Sequence, residues 1–410
     1  MNLYLSKPGI MSCIGNNIDE LWTAVTSGNQ QGIKKVSACN GEEFYAARID
    51  DSLLSPSGAR YDMKVVRIEN QALAQIAEDV ELVKDKYGAE RIAVCVGSCD
   101  NGTEFSVAAH RNYFSDGEFP ADYNLEIQGA DYASTMVAEK FGLKGPVNTF
   151  STACSSSAGA IIKGAELILA GLADAAVVGG IDIASDTTLV GFSALEAVSS
   201  EITNPLSKNR HGITLGDGAA FFVLTKEDLS DLSSPGLTRG SIRLLGWGES
   251  SDAYHMTSPD PSGSGAEKAI RRAIERAGIS PADVGYINLH GTGTKLNDSM
   301  ESKAVAAIFG ENSVPVSTTK AITGHTLGAA AALEAAICWK TLVENQGKNI
   351  DNRKLPLQVW DGVKDEELPS LNIVDKNNNG QAASTAEELK VCLSNSFAFG
   401  GANACLALGI

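Results

Sequence analysis

Positive charge is short in this sequence relative to negative charge. Lys and Arg number 33 against 50 Asp and Glu in 410 residues, a formal net charge of −17. A nucleic-acid partner needs a basic face, so that class of function is not expected; an acidic protein partner stays compatible if a local basic patch exists. Aromatics are scarce at 6 %, while Gly reaches 41, a balance that suits close helix–strand packing and tight turns. No apolar run is long enough for a membrane span, and the opening MNLYLSKPGI has no basic segment ahead of a long apolar stretch, so no integral membrane segment and no secretion signal are expected. Cys95 and Cys99 stand four apart, but no second close pair or nearby His completes a zinc site, and no metal is expected. The eight cysteines read as reduced thiols of a cytoplasmic protein.

The length exceeds one simple core and implies two domains or two fused halves. Strand-like runs that end in Gly or Ser (ERIAVCVGS, DAAVVGGID, GYINLHGTG, LKVCLSNSFAFGG) are interleaved with helical patterns such as AEKAIRRAIERAGI and SKAVAAIFG. Buried runs without alternation suit sheets covered on both faces, so the class is α/β. The polar stretch Thr225–Gly240 reads as a connector dividing an N-terminal half (1–235) from a C-terminal half (236–410); DKNNNGQAASTAEELK reads as an exposed loop before the last strand. The halves echo each other. A strand, a turn with Cys154 and the small-residue helix SAGAIIKGAELILAG find a counterpart in a strand, a turn with His325 and a second Ala-rich helix. An internal duplication follows, with the two special residues in related places.

By itself Cys154 in STACSSSAGA reads as a small packed residue, since most buried free thiols are inert. Its place at a helix start, where backbone N–H groups favour a thiolate, raises the reactive reading. Two of the five histidines, His290 in INLHGTGTKLND and His325 in KAITGHTLGAA, sit in glycine-flanked turns; His110 and His211 read as surface residues. The turn in NSFAFGGANA can aim a backbone N–H into a cavity. One thiol, two imidazoles and such a turn suit covalent acyl chemistry: the thiolate holds an acyl group while N–H donors bind the oxyanion.

The set TACSSSAGA, HGTGT with the following acids, K…GHTLGAAAALE and NSFAFGG, together with SSDAYHMTSPDPSG, resembles the β-ketoacyl-acyl-carrier-protein synthases, the elongating ketosynthases of the thiolase superfamily. The resemblance runs along nearly the whole chain. It implies the thiolase fold: two duplicated βαβαβαββ halves in five α-β-α-β-α layers, with the site where they meet. It implies that Cys154 is the acylated nucleophile and that His290 and His325 assist decarboxylation of malonyl-carrier and stabilise the enolate. Lys320 would give electrostatic support, and Glu301, with Asp298 as a second candidate, would belong to the same network. Thr292 and Thr294 would bind the phosphopantetheine arm. Phe399 would gate the site, its N–H joining that of Cys154 in the oxyanion hole with Gly400 beside it. Asp252, His255 and Thr257 would form a loop moving with that gate. No cofactor is implied. The implied partners are acyl carrier protein, docking through a basic patch for which Lys64 and Arg67 are candidates, and a second subunit in a homodimer or a heterodimer with a chain-length-factor-like chain.

PLSKNRHGITLGDGAA and FAFGGAN depart from the commonest elongating pattern, with His211 in place of an acid and Ala398 and Ala402 in place of Gly and Thr. With QVWDGVKDEELPSLNIV, they are similar to ketosynthases of bacterial aryl-polyene clusters. A thiolase acting on coenzyme A would need a second catalytic cysteine in a Cys-x-Gly context, whereas Cys392 and Cys405 sit in strand-like runs. Priming ketosynthases usually carry Asn where His325 stands. A non-catalytic chain-length factor would lack Cys154.

Overall fold

The computed structural model describes residues 3–58, 62–129, 131–229, 242–349, 352–380 and 388–410. Most of the expected connector, including the 235/236 boundary, and residues 381–387 of the second polar loop lie outside the described residues.

The glycine-ended apolar runs are strands. In the N-terminal half, β1 (Tyr4–Leu5), β2 (Gly9–Ser12), β3 (Ile92–Gly97), β4 (Val147–Phe150), β5 (Ala175–Asp182) and β6 (Gly218–Thr225) form the sheet. In the C-terminal half it continues with β7 (Ile242–Ser251), β8 (Tyr286–Asn288), β9 (Pro315–Ser317), β10 (Asn372–Ile373), β11 (Val391–Phe397) and β12 (Ala402–Gly409). The helices that matter here are α1 (Lys64–Ala74), α2 (Thr103–Asp116), α3 (Tyr132–Phe141), α4 (Ser156–Leu169), α5 (Ser264–Ala277), α6 (Lys295–Phe309) and α7 (Ala330–Asn345).

The duplication is plain in the pairing. In one half β4, β3 and β5 run parallel and β6 is antiparallel to β5; in the other β9, β8 and β11 run parallel and β12 is antiparallel to β11. The two half-sheets are joined in one hydrogen-bonded path by short β1, where Tyr4 faces Thr225 on one side and Arg243 on the other.

Strand residues alternate between cores. Ala93, Cys95, Val178 and Phe222 meet α4 and α7 in the largest apolar cluster, which also takes in Leu406 and Leu408 of β12. Val94, Val96, Val177 and Phe221 face α1 and α3. Ile287, Leu393 and Cys405 face α5 and α6. The order of layers is therefore helix, half-sheet, α4 and α7, half-sheet, helix, the five-layer arrangement that the resemblance implied. Small residues bring the central helices in. A Cβ on Gly97 would sit 2.3 Å from the Ser157 backbone nitrogen, so α4 starts directly against the end of β3. The hydroxyl of Ser157 then accepts from the Ala332 N–H of α7 at 2.9 Å, tying the two central helices at their N-terminal ends.

All eight cysteines are free thiols. Burial pushes the Cys95 thiol up to about 12, as expected of an inert core residue. Among the described residues no helix is long and apolar enough to cross a membrane.

Candidate active site

Cys154 sits in a single 3-10 turn, Ala153–Ser155, between β4 and α4. Ala153 is held at φ +50°, a left-handed conformation that costs a non-glycine residue about 1–2 kcal/mol. Ser156 holds it there: its Oγ donates to the Ala153 carbonyl at 2.6 Å and accepts from the Thr152 N–H at 2.9 Å. The other half has the same device. A 3-10 turn, Leu327–Ala329, precedes α7, and Leu327 has φ +51°. In this register Cys154 is matched by Gly328, and His325 by Ser151. The expectation that Cys154 and His325 occupy related places is thus corrected by three residues: the histidine stands just upstream of its turn, and from there its ring reaches across to the thiol.

His325 Nε2 lies 3.1 Å from Cys154 Sγ. The Leu327 N–H donates to His325 Nδ1 at 3.1 Å. Because Nδ1 accepts, the proton of the neutral ring is assigned to Nε2, which points at the sulfur. His290 packs edge-on against His325 with ring centroids 5.2 Å apart, and ligand-type atoms of Cys154, His290 and His325 all lie within 4.8 Å of one another. Burial first, then Lys320, pushes both imidazoles well below the ordinary 6.5. Both are neutral N–H donors at physiological pH.

The thiol does not follow the simple helix-start expectation. Burial pushes Cys154 up to about 11, against the opposing pull of Lys320 and the Phe399 backbone N–H. Desolvation outweighs the helix start.

Lys320 is fully buried and its Nζ is bonded to the Glu334 carboxylate. Glu334 was not singled out from the sequence; the available signal was an acid inside the otherwise apolar helix AAALEAAICW. Burial pushes its carboxyl up to about 7, with Lys320 opposing.

Glu301 does not touch either imidazole. Its two oxygens accept from the backbone N–H groups of His290 at 2.8 Å and Gly291 at 2.7 Å, and Asn395 Nδ2 donates at 3.1 Å. Asp298 does the same for Gly293 and Leu206. These acids fix the HGTGT turn and place His290; they are positioning residues. Thr292 and Thr294 line the cavity with hydroxyls 3.1 Å apart, and Thr294 also caps α6.

The cavity is about 500 Å³ and holds Cys154, both histidines, both threonines and Phe399. The Phe399 N–H is turned to the sulfur. Gly400 is corrected: its N–H donates to the Met256 carbonyl at 2.8 Å, so it is not free to bind an oxyanion. That bond clasps the 252–257 loop to the Phe399–Gly401 turn, as does the Asp252 N–H to the Gly401 carbonyl at 3.0 Å. Asp252 is the joint of this clasp, accepting from Asn403 Nδ2 at 2.7 Å and the Asp260 N–H at 3.0 Å. Thr257 reaches the cavity, whereas His255 is exposed and bonds within its own loop.

Two other expectations change. Lys64 and Arg67 are neutralised internally. Lys64 Nζ sits 3.0 Å from buried Asp217 and 3.1 Å from Asp51, and Arg67 grips Asp62 with two bonds. His110 is a surface residue, edge-on to Phe119. His211 is exposed but lies at the cavity mouth.

Comparisons with known proteins give the family. The β-ketoacyl synthase N-terminal domain matches residues 9–229, and the β-ketoacyl synthase C-terminal domain matches residues 242–349. The 3-oxoacyl-[acyl-carrier-protein] synthase 2 of Coxiella burnetii is 32 % identical over 421 residues, covering 98 % of this chain and 96 % of the relative. The ketosynthase ApeO of Xenorhabdus doucetiae, solved in complex with its chain length factor ApeC, is similar at 38 % identity and a TM-score of 0.84, covering 100 % of this chain and 98 % of that one. The ishigamide ketosynthase/chain length factor is similar at 25 % identity and a TM-score of 0.84, with the same coverage. With two family domains in order over an intact Cys–His–His site, the chain belongs to the β-ketoacyl synthase family.

Proposed function

We propose that this protein is a β-ketoacyl-acyl-carrier-protein synthase that elongates an acyl chain by decarboxylative Claisen condensation. The observation that carries the reading is the His325 Nε2–H aimed at the Cys154 sulfur from 3.1 Å, with its tautomer set by the Leu327 N–H. The Cys154 sulfur attacks the carrier thioester. The tetrahedral oxyanion lies against the Cys154 and Phe399 N–H groups, and the carrier thiol leaves with the proton that Cys154 gave up. Malonyl-carrier then enters and loses carbon dioxide. The enolate oxygen is held by the imidazole N–H donors of His290 and His325, which are neutral because they are buried. The enolate carbon attacks the acyl group on Cys154, and collapse returns the thiolate and a β-ketoacyl-carrier longer by two carbons.

In this reading the substrates arrive on a phosphopantetheine arm past Thr294 and Thr292, no metal or redox cofactor is required, and the setting is cytoplasmic. The similarity to ApeO and the variant PLSKNRHGITLGDGAA run favour an aryl-polyene-type pathway and a chain-length-factor-like partner. The N-terminal half offers a surface for a second subunit. Strand β4 pairs only with β3, leaving one edge open among the described residues. The 103–128 segment exposes Phe114 and Leu125 and stacks Phe119 between Tyr113 and Tyr123 at 4.7 Å each.

The test is elongation with malonyl-carrier and a panel of acyl-carriers, with and without the partner chain. Condensation that needs Cys154 is expected. Efficient turnover of long saturated acyl groups by the lone protein would overturn the polyene reading.

A further inference from the structure

Asp182, the last residue of β5, is 1 % exposed and does not line the catalytic cavity. Its carboxylate is met by donors. Oδ1 accepts from the Ser98 hydroxyl at 3.2 Å and the Asp100 N–H at 2.9 Å; Oδ2 accepts from the Cys99 N–H at 2.9 Å and the Gly328 N–H at 2.6 Å. These donors lead to both reactive turns. Gly328 belongs to the C-terminal half and to the Leu327–Ala329 turn, whose Leu327 N–H holds the His325 ring. Cys99 belongs to the N-terminal half. Its Sγ lies 3.4 Å from the Ala153 carbonyl and 3.6 Å from Ser156 Oγ, the two groups that shape the Cys154 turn. The approach is close: a Cβ on Gly328 would sit 2.5 Å from Asp182 Oδ2 and 3.1 Å from the Cys99 nitrogen. The His325 backbone is fixed separately, by the Thr214 carbonyl at 2.7 Å and the Gly216 N–H at 3.0 Å, and the turn after it is tied at Asp182.

We propose that Asp182 is a positioning residue for condensation: one buried carboxylate holds the Cys154 turn and the His325 turn in register across the two halves. Nucleophile and histidine come from different halves, so their 3.1 Å separation depends on how the halves meet. A carboxylate suits this joint because both of its oxygens accept, and donors from the two halves converge on it. An amide of the same shape has one acceptor oxygen and turns an NH₂ against a donor. Burial, then Asp100, pushes the Asp182 carboxyl up to about 7; Asp100 itself accepts from the Tyr132 hydroxyl at 2.7 Å. The proposal rests on the ketosynthase reading only for the reaction whose rate is measured.

The experiment compares the wild type, Asp182→Asn and Val177→Ala well below each Tm, in a buffer alkaline enough to ionise Asp182. Val177 lies in the same strand but faces α1 and α3, so its truncation lowers Tm without touching either turn. Two quantities are read on each protein: kcat and KM for malonyl-carrier, and the rate at which iodoacetamide alkylates Cys154, followed by mass spectrometry. Asp182→Asn is expected to lower kcat by roughly 10²-fold with KM unchanged, the loss that follows a displacement of about 1 Å between reacting groups. Alkylation should slow by roughly fivefold, because the thiolate loses the His325 N–H. Val177→Ala should match the wild type in both. Cys99→Ala keeps the carboxylate and cuts only its arm to the Cys154 turn. It should also lower kcat at constant KM, and it carries the test if Asp182→Asn does not fold. Rates equal to those of Val177→Ala, or a loss confined to KM, would overturn the positioning role. A wild type that performs no condensation, with alkylation still slowed in Asp182→Asn, would retain that role and overturn the proposed reaction.

Discussion

At the scale of single residues, the chemistry is set by burial as much as by residue type. A cysteine at a helix start is expected to ionise easily, yet Cys154 is pushed up to about 11 because water is excluded around it. The rate of alkylation by iodoacetamide should therefore climb with pH from 7 to beyond 9 without a plateau, as the thiolate fraction grows about tenfold per unit. A plateau near pH 8 in the inactivation rate would refute this. His325→Ala removes one N–H donor from the enolate site and should lower condensation by about 10²–10³-fold, measured as kcat with malonyl-carrier. His290 and His325 were readable in sequence because each lies in a glycine-flanked turn, and Cys154 only in combination with them, at the start of a small-residue helix. The role of Glu334 was not, because nothing local says that Lys320 would be brought to it. The involvement of Gly400 was misjudged because the destination of one backbone N–H depends on a loop 144 residues away, at Met256.

At the scale of elements, short turns carry the site and buried carboxylates hold the turns. Asp182, at the end of β5, accepts from the N–H groups of Cys99 and Asp100 and, across the halves, from the Gly328 N–H at 2.6 Å. Asp182→Asn would face an NH₂ against these donors and should cost about 1–3 kcal/mol, seen as a lower Tm. Glu301 offers a test with pH. Burial raises its carboxyl from the ordinary 4.5 to about 7, so the folded state holds the proton more tightly than the unfolded state. The corresponding stability is fully present below pH 4.5 and is lost as pH rises through about 7. Glu301→Gln should remove that part of the slope in a denaturation series over this window. An unaltered slope would show that Glu301 does not titrate there. The alternation of strand and helix was legible from apolar runs and glycines. The register of the duplication was not: sequence similarity between the halves is weak, and the matched φ values at Ala153 and Leu327 are visible only in the backbone.

At the scale of the whole molecule, the open edge of β4 and the exposed aromatic cluster of the 103–128 segment bear on the second subunit proposed above. Asn148 bonds to β3, as the carbonyls of Pro146 and Phe150 do, so strand alternation turns the Val147 N–H outward. Val147→Pro should remove an outward donor without breaking the β3 pairing and shift the assembly toward monomer in sedimentation velocity. A dimer of unchanged stability would place the interface elsewhere.

The sequence by itself determined the family and the α/β class, and it singled out Cys154, His290 and His325, which the fold brings together. Those features are local: a residue, its turn and the period of the flanking elements lie within a few positions of one another. Only the tertiary structure decided that the His325 ring presents Nε2 to the sulfur, that Lys64 and Arg67 are ion-paired within the chain, that Glu301 positions a turn, and that Cys154 is buried. Each of these depends on which distant groups share a buried volume, because desolvation and hydrogen-bond partnership are properties of the packed interior.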